Sequence, residues 1–169
     1  MSLSLERIET EGIAELSYFL GDDGPGVAAV FDPTPDVEKY VELARKKKVS
    51  ITHIFETHIH ADLMSGSREL CARVDSAQIY GSGEGGAEYG FAIKKIKDGD
   101  TFDFGKTRVT VRHTPGHTPE HVSYEIAEKE SPKRPWGVLG TLFFFTSGRP
   151  ADRKQVPSSP EQERAAPGA

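Results

Sequence analysis

The sequence contains no asparagine and a single cysteine, Cys71, among its 169 residues. It therefore has no acceptor for N-glycosylation and cannot form a disulfide within the chain, which fits a reducing compartment. Long apolar runs are also lacking, and no basic-then-apolar leader opens the chain, so we expect a cytoplasmic protein with no membrane association. The net charge of -5 argues against a nucleic-acid surface.

The composition that is present, 36% hydrophobic and 28% charged, is typical of a globular domain. We expect one domain over residues 1–149. Residues 150–169 contain four prolines, no aromatic residue and one β-branched aliphatic residue. Such a segment buries too little apolar surface to offset the entropy of ordering, so we predict a disordered tail.

The apolar pattern predicts a mixed α/β fold. Three segments read as strands: 14–20, 27–31 and 51–55. Between the last two, apolar residues recur at helical spacing from Val37 to Ala44, and Thr34 is placed to cap that helix. Strand, helix, strand in this order predicts a sheet covered by helices. A second helix is expected at 67–74, with further strands at 78–80, 101–104, 107–112, 122–126 and 136–145.

Three potential metal ligands, His58, His60 and Asp62, follow the strand at 51–55 at intervals of two residues. On extended backbone, residues spaced in this way point to one face, and imidazole and carboxylate are the usual ligands of divalent transition metals. The turn formed by Pro115 and Gly116 would hold a further histidine, His117, at the end of another strand. We therefore favour a metal site over the alternative, polar loop residues with one histidine capping the next helix.

The other motifs give weaker evidence for a functional site. Residues 81–86 match G-x-G-x-x-G by letter, but the acidic residues around them would repel a pyrophosphate, so we expect a mobile surface loop there. His53 is expected to be a structural residue within its strand. His113 and His121 flank the turn and could line a pocket, although we do not select either as a ligand.

Several pieces of the sequence together resemble the metallo-β-lactamase superfamily, and within it the persulfide dioxygenase branch, of which glyoxalase II is a near relative. These pieces are E-T-H-I-H-A-D at 56–62, S-G at 65–66, Y-G-S-G at 80–83, T-P-G-H-T at 114–118 and G-R-P at 148–150. The resemblance implies an α/β (α+β) fold, the αββα sandwich, with the metal at one edge of two packed sheets.

The resemblance also implies an activity and a set of site residues. One Fe(II) would be held by His58 and His117, with His60 and Asp62 as further ligands or as partners that orient the imidazoles. Persulfide dioxygenases oxidise glutathione persulfide to sulfite and glutathione. Arg149 resembles the residue that pairs with the glutathione carboxylate, or else it is a surface arginine.

Two positions depart from the family pattern. Leu63 stands where binuclear relatives have a second-metal histidine, and Thr146 stands where the family has a metal-binding aspartate. We therefore expect a weakened iron site, and the three histidines, His58, His60 and His117, suit Zn(II) at least as well. The alternative is a mononuclear zinc thioester hydrolase of the glyoxalase II type, with Asp62 orienting or deprotonating the water. A catalytically inactive metal-binding remnant is the third possibility.

The later half of the family's domain has no counterpart in this sequence. We therefore expect a truncated member with an incomplete second half and an exposed sheet edge near residues 143–145. That edge could pair with a second subunit, which makes a homodimer possible.

Overall fold

The computed structural model describes residues 3–10, 16–60, 64–132, 135, 137–140 and 144–146, the last three as strand backbone alone. Predictions that concern residues 61–63 and 147–169, which include Asp62, Leu63, Arg149 and the tail, lie outside the described residues.

The described residues form two sheets, and the first has six strands in the same order in space as in the chain. They are β1 (Leu3–Glu9), β2 (Leu16–Asp22), β3 (Val27–Phe31), β4 (Ser50–Phe55), β5 (Gln78–Ser82) and β6 (Lys94–Ile96). The first three pair antiparallel, and β3 to β6 pair parallel. Each of the first two parallel connections contains a helix, α1 (Glu38–Lys47) and α2 (Ser67–Arg73), which is the predicted crossover arrangement.

Helix α1 begins later than predicted. Val37 occupies the N-cap position, and no side chain of the described residues caps the helix. Thr34, the predicted cap, is buried, and both its backbone N–H and its hydroxyl contact the hydroxyl of Tyr40. The prediction was wrong because the buried Tyr40 hydroxyl needs hydrogen-bond partners. Thr34 bonds to this hydroxyl and not to the free N–H groups at the start of the helix.

The second sheet is an antiparallel set in the order β11-β10-β9-β8-β7. Its strands are β7 (Thr101–Phe104), β8 (Thr107–His113), β9 (Val122–Glu128), β10 (Gly137–Leu139) and β11 (Phe144–Thr146). Residues 136–145 were predicted as one strand, and this was wrong. Leu139 pairs with Phe144, so the chain reverses between them. Gly140 follows β10 directly, and glycine is a common punctuation of strands.

Two apolar clusters hold three layers together. The two sheets face each other across a cluster that includes Phe31, Phe55, Val111, Tyr124 and Ile126, all fully buried. The helices cover the other face of the first sheet through a second cluster, which includes Phe19, Val30, Tyr40, Ile54 and Leu70. Strands β3 and β4 are thus buried on both faces, as parallel strands usually are. Neither described helix is long and apolar enough to cross a membrane.

Candidate metal centre

One edge of the fold collects polar side chains from both sheets. Asp32 follows β3 directly and Glu56 follows β4 directly, and the ends of these parallel neighbours lie side by side. The loop of residues 114–121, between β8 and β9, reaches the same edge. The Val122 N–H donates to the carbonyl oxygen of Thr57 across 2.8 Å, so the second sheet is bonded to the segment that carries the predicted ligands.

Four imidazole rings meet at this edge. The ring centre of His58 lies 4.1 Å from that of His60 and 4.8 Å from that of His117. His121 lies 5.6 Å from His58 and 6.4 Å from His117 by the same measure. His58 is 4% exposed whereas His117 is an exposed residue, so the cluster extends from the interior to the surface.

The tautomer of His58 follows from its neighbours. The Thr57 hydroxyl donates its single hydrogen to Asp32 Oδ2 across 2.8 Å. The same hydroxyl oxygen lies 2.9 Å from His58 Nδ1, so here it accepts, and Nδ1 carries the ring hydrogen. Nε2 then carries the lone pair, which is the form of imidazole that binds metal. Burial, followed by the charge of neighbouring His60, lowers the pKa of His58 to about 4, so the ring is neutral at pH 7.

A second group of possible ligands lies on the other side of His60. His60 Nε2 is 3.4 Å from Asp32 Oδ1 and 3.8 Å from Glu56 Oε2. One ligand atom from each of these three residues falls within 4.8 Å of the others, a spacing that could hold a metal ion. The same geometry is that of a carboxylate–histidine pair, in which the carboxylates orient the ring and Nδ1 binds the metal.

Asp32 is held in an uncommon backbone conformation, with a φ of 46°. Its carboxylate accepts the Thr57 N–H across 2.7 Å in addition to the Thr57 hydroxyl. Non-glycine residues with positive φ are uncommon and concentrate at functional sites. We infer that the turn after β3 keeps this carboxylate directed at the histidine segment.

Glu56 is also buried, with 3% of its surface exposed. Burial, followed by the charge of Asp32, raises the pKa of Glu56 to about 7. Within the described part of the chain, its Oε2 has no hydrogen-bond partner. A buried carboxylate oxygen of this kind fits a site that receives positive charge, and neutral imidazoles beside it fit a divalent ion.

The glycine-rich loop after β5 packs against the loop that carries His117. Gly85 has a φ of +62°, and a Cβ there would lie 2.4 Å from the carbonyl group of Pro119. Nearby, His113 lies between the two loops, with Nδ1 3.1 Å from Glu84 Oε2 and Nε2 2.9 Å from the Pro119 carbonyl oxygen. The segment predicted as a mobile surface loop is therefore in contact with the candidate site.

The structure brings together His58, His60 and His117, three of the four residues selected as metal ligands. His53, expected to be structural, lies away from them, stacked on Phe55 and Tyr80. His121 was considered only as a pocket residue, yet its ring belongs to the cluster. Two buried acids of the site, Asp32 and Glu56, were not selected from the sequence. They could have been recognised because each is an acidic residue that directly follows an apolar strand.

The catalytic role predicted for Asp62 and the substrate contact predicted for Arg149 concern residues outside the described part. Thr146 lies in β11, and its side chain is not described.

Comparisons with known proteins agree with this architecture. The family model described as "Metallo-beta-lactamase superfamily" matches residues 11–130. "Hydroxyacylglutathione hydrolase" of Acaryochloris marina is 31% identical over 138 residues, covering 78% of this chain and 51% of the relative. "Hydroxyacylglutathione hydrolase cytoplasmic" of Arabidopsis thaliana is 30% identical, covering 79% of this chain and 51% of the relative. The chain thus spans about half the length of these curated relatives.

Two solved structures have a similar fold. A metallo-beta-lactamase from Staphylococcus aureus aligns with a TM-score of 0.75 and 29% identity, over 83% of this chain and 43% of that one. ETHE1 from Myxococcus xanthus aligns with a TM-score of 0.66 and 26% identity, over 73% of this chain and 53% of that one. Both alignments match the helix–sheet–sheet arrangement described above to proteins of known structure.

Proposed function

The chain belongs to the metallo-beta-lactamase superfamily, and on this premise we propose that it hydrolyses a thioester of glutathione at a zinc centre held by His58, His60 and His117. The observation that carries the proposal is the meeting of these imidazole rings at the edge where the two sheets join, with His58 neutral and its Nδ1 hydrogen bound to Thr57. Neutral imidazole is the form that zinc requires.

The relatives favour hydrolysis among the chemistries that such a centre supports. The Acaryochloris and Arabidopsis proteins are both named hydroxyacylglutathione hydrolases, and each alignment covers more than three quarters of this chain. These names support a glutathione thioester as the first candidate substrate. Hydrolysis was the alternative that we weighed from the sequence, and the comparisons support it better than the dioxygenase reading.

In the proposed reaction a water oxygen bonds to the acyl carbon, the carbon–sulfur bond breaks, and glutathione leaves as the thiol. Zinc would supply a water molecule with its pKa lowered to about 7. Asp32 and Thr57 hold His58 in the correct tautomer. Asp62 would orient this water and take its proton, and Arg149 would pair with a glutathione carboxylate.

Persulfide oxidation with Fe(II) is the second candidate. It is favoured by the similarity to the persulfide dioxygenase ETHE1 from Myxococcus xanthus, at a TM-score of 0.66 and 26% identity. The identity of residue 146 speaks against it, because threonine is a weaker iron ligand than the aspartate that the family pattern has there.

The two candidates are separated by assaying one preparation of the full chain for both reactions. We expect the zinc-loaded protein to release thiol from a 2-hydroxyacyl thioester of glutathione, and the iron-loaded protein to consume no oxygen with glutathione persulfide. His117→Ala should lose thioester hydrolysis and zinc affinity together. His53→Phe is the matched control, because it removes an imidazole that lies away from the cluster. Oxygen uptake by the iron-loaded protein, without thioester hydrolysis by the zinc-loaded one, would contradict the proposal.

A further inference from the structure

Glu56 is hydrogen-bonded to three other elements around the candidate site. Its backbone N–H donates to the Tyr80 carbonyl oxygen on β5 across 2.9 Å. Its own carbonyl oxygen accepts from the Tyr124 hydroxyl on β9 across 2.6 Å. Its carboxylate oxygen Oε1 accepts the hydroxyl hydrogens of Ser65 and Ser67. The backbone and side chain of this residue therefore link β4 to β5, to the second sheet and to the start of α2.

The second carboxylate oxygen faces the histidine cluster. Glu56 Oε2 lies 3.8 Å from His60 Nε2, and both side chains are almost entirely buried. Asp32, the other acid beside His60, already accepts two hydrogen bonds from Thr57. Glu56 is thus the acid that lies beside His60 with one oxygen while its other oxygen is bonded to the serines at the start of α2.

We propose that Glu56 is a positioning residue that fixes the orientation of the His60 ring relative to the start of α2, so that His60 presents its Nδ1 to the metal ion. The inference rests on the metal centre proposed above.

The start of α2 is held from two sides, which is why the link to Glu56 leaves little freedom. Gly66 lies against the segment after β3: its N–H donates to the Pro33 carbonyl oxygen across 2.6 Å, and a Cβ there would lie 2.1 Å from the Thr34 carbonyl oxygen. On the other side, the Ser67 N–H donates to Ser65 Oγ across 3.0 Å, so the two serines that bind Glu56 are also bonded to each other.

Two kinds of variant separate the charge of Glu56 from its link to α2. Glu56→Gln keeps an oxygen that can accept from the serines but removes the negative charge beside His60. The double variant Ser65→Ala with Ser67→Ala keeps the carboxylate and removes both hydroxyl donors. Glu69→Gln, which changes an exposed acid of α2 that pairs with Arg73, is the matched control.

Zinc affinity, measured by competition with a chromophoric chelator, is the first readout. We expect Glu56→Gln and the double serine variant each to bind zinc about 10- to 100-fold more weakly than the natural chain, the usual effect of removing a partner of a metal-binding histidine. The absorption spectrum of the Co(II)-substituted protein should change in both variants, because the ligand geometry changes. Glu69→Gln should match the natural chain in both respects.

Amide hydrogen exchange of the metal-free protein is the second readout, and it does not depend on metal binding. In the double serine variant, the peptide that spans residues 64–70 at the start of α2 should exchange faster than in the natural chain. Glu56→Gln keeps the acceptor of these hydrogen bonds, so its exchange there should match the natural chain, and peptides from β8 and β9 should stay unchanged in both variants. Zinc affinity within twofold of the natural chain in both variants, together with unchanged exchange in the double serine variant, would overturn the inference. If the natural chain bound no zinc, the proposed function would fail, and the exchange experiment would still support or overturn the positioning role of Glu56.

Discussion

The Tyr124 hydroxyl donates to the backbone carbonyl oxygen of Glu56 across 2.6 Å, although the two residues lie 68 positions apart in the chain. Tyr124 belongs to the second sheet, and Glu56 directly follows a strand of the first. Both residues are buried, Tyr124 completely. Together with the hydrogen bond from Val122 to Thr57, this contact fixes how closely the two sheets approach at the histidine edge. The distance between His58 and His117, which come from different sheets, depends on that approach.

Tyr124→Phe should therefore lower the free energy of unfolding by about 1–3 kcal/mol, because the Glu56 carbonyl oxygen would stay buried without its partner. Tyr89→Phe is the comparison: its hydroxyl bond to the Ser82 carbonyl oxygen is longer, 3.1 Å, and lies at a half-buried residue. We expect that change to cost about 0.5–1.5 kcal/mol. Urea unfolding of the metal-free protein measures both, and equal losses would contradict the importance we give to the contact between the sheets.

Thr57→Val should weaken zinc binding by about 10- to 100-fold. The change keeps the size and shape of the side chain but removes the hydroxyl that holds the ring hydrogen of His58 on Nδ1. Thr57→Ser, which keeps the hydroxyl, should restore most of the affinity. Thr52→Val is a close control, since the Thr52 hydroxyl lies 2.9 Å from Nδ1 of the next residue, His53, outside the site. Zinc competition measures all three variants; an equal loss in Thr52→Val would show that the effect is not specific to the site.

Gly85→Ala should destabilise the protein by about 2–3 kcal/mol and weaken zinc binding, because the new methyl group would displace Pro119 and with it the loop that carries His117. Gly86→Ala is the control, because it carries the cost of a positive φ without a contact to Pro119. Gly86 also has a positive φ, +77°, but a Cβ there meets nothing within 4 Å. We expect Gly86→Ala to cost about 1–2 kcal/mol and to leave zinc affinity unchanged. Thermal unfolding and zinc titration of the two variants test this difference.

The raised pKa of Glu56 predicts a pH dependence of stability in the metal-free protein. Its pKa is about 7 in the folded chain against an ordinary value of 4.5. The folded state therefore binds this proton more tightly, so the contribution is fully present below about pH 4.5 and is lost as the pH rises through about 7. Glu56→Gln lacks the titrating group, and its stability relative to the natural chain should rise by about 1–3 kcal/mol between pH 4.5 and pH 8. Urea unfolding with a chelator present, at both pH values, measures it; a constant difference would contradict the assignment.

Much of the fold could be predicted because its central elements have strong local patterns. The strand at 27–31 was predicted with the bounds that β3 has, and Tyr40 and Ala44 form the buried face of α1 as the helical spacing indicated. Strands β1 and β6 were missed. Strand β6 has three residues, two of them lysines, and it is extended because it pairs with β5 rather than because its residues favour a strand.

His58 and His60 could be predicted because residues two apart on extended backbone point to the same face, and His117 because a tight turn precedes it. The acids could not. Asp32 and Glu56 come together only because β3 and β4 are parallel neighbours whose ends share an edge, and the order of strands in a sheet is a property of the whole chain. The contact between Gly85 and Pro119 was missed for the same reason, since the two loops are joined only when both sheets have formed.

The first sheet is laid down in chain order, each strand beside the one that precedes it in sequence. Such a sheet can grow strand by strand as the chain leaves the ribosome, since each new strand pairs with the strand made before it. The histidine edge cannot: His58 and His60 meet His117 only after β8 and β9 have been synthesised and docked. Capture of a metal ion should therefore be a late event of biogenesis, because the protein has to reach a nearly finished state before it can compete for that ion.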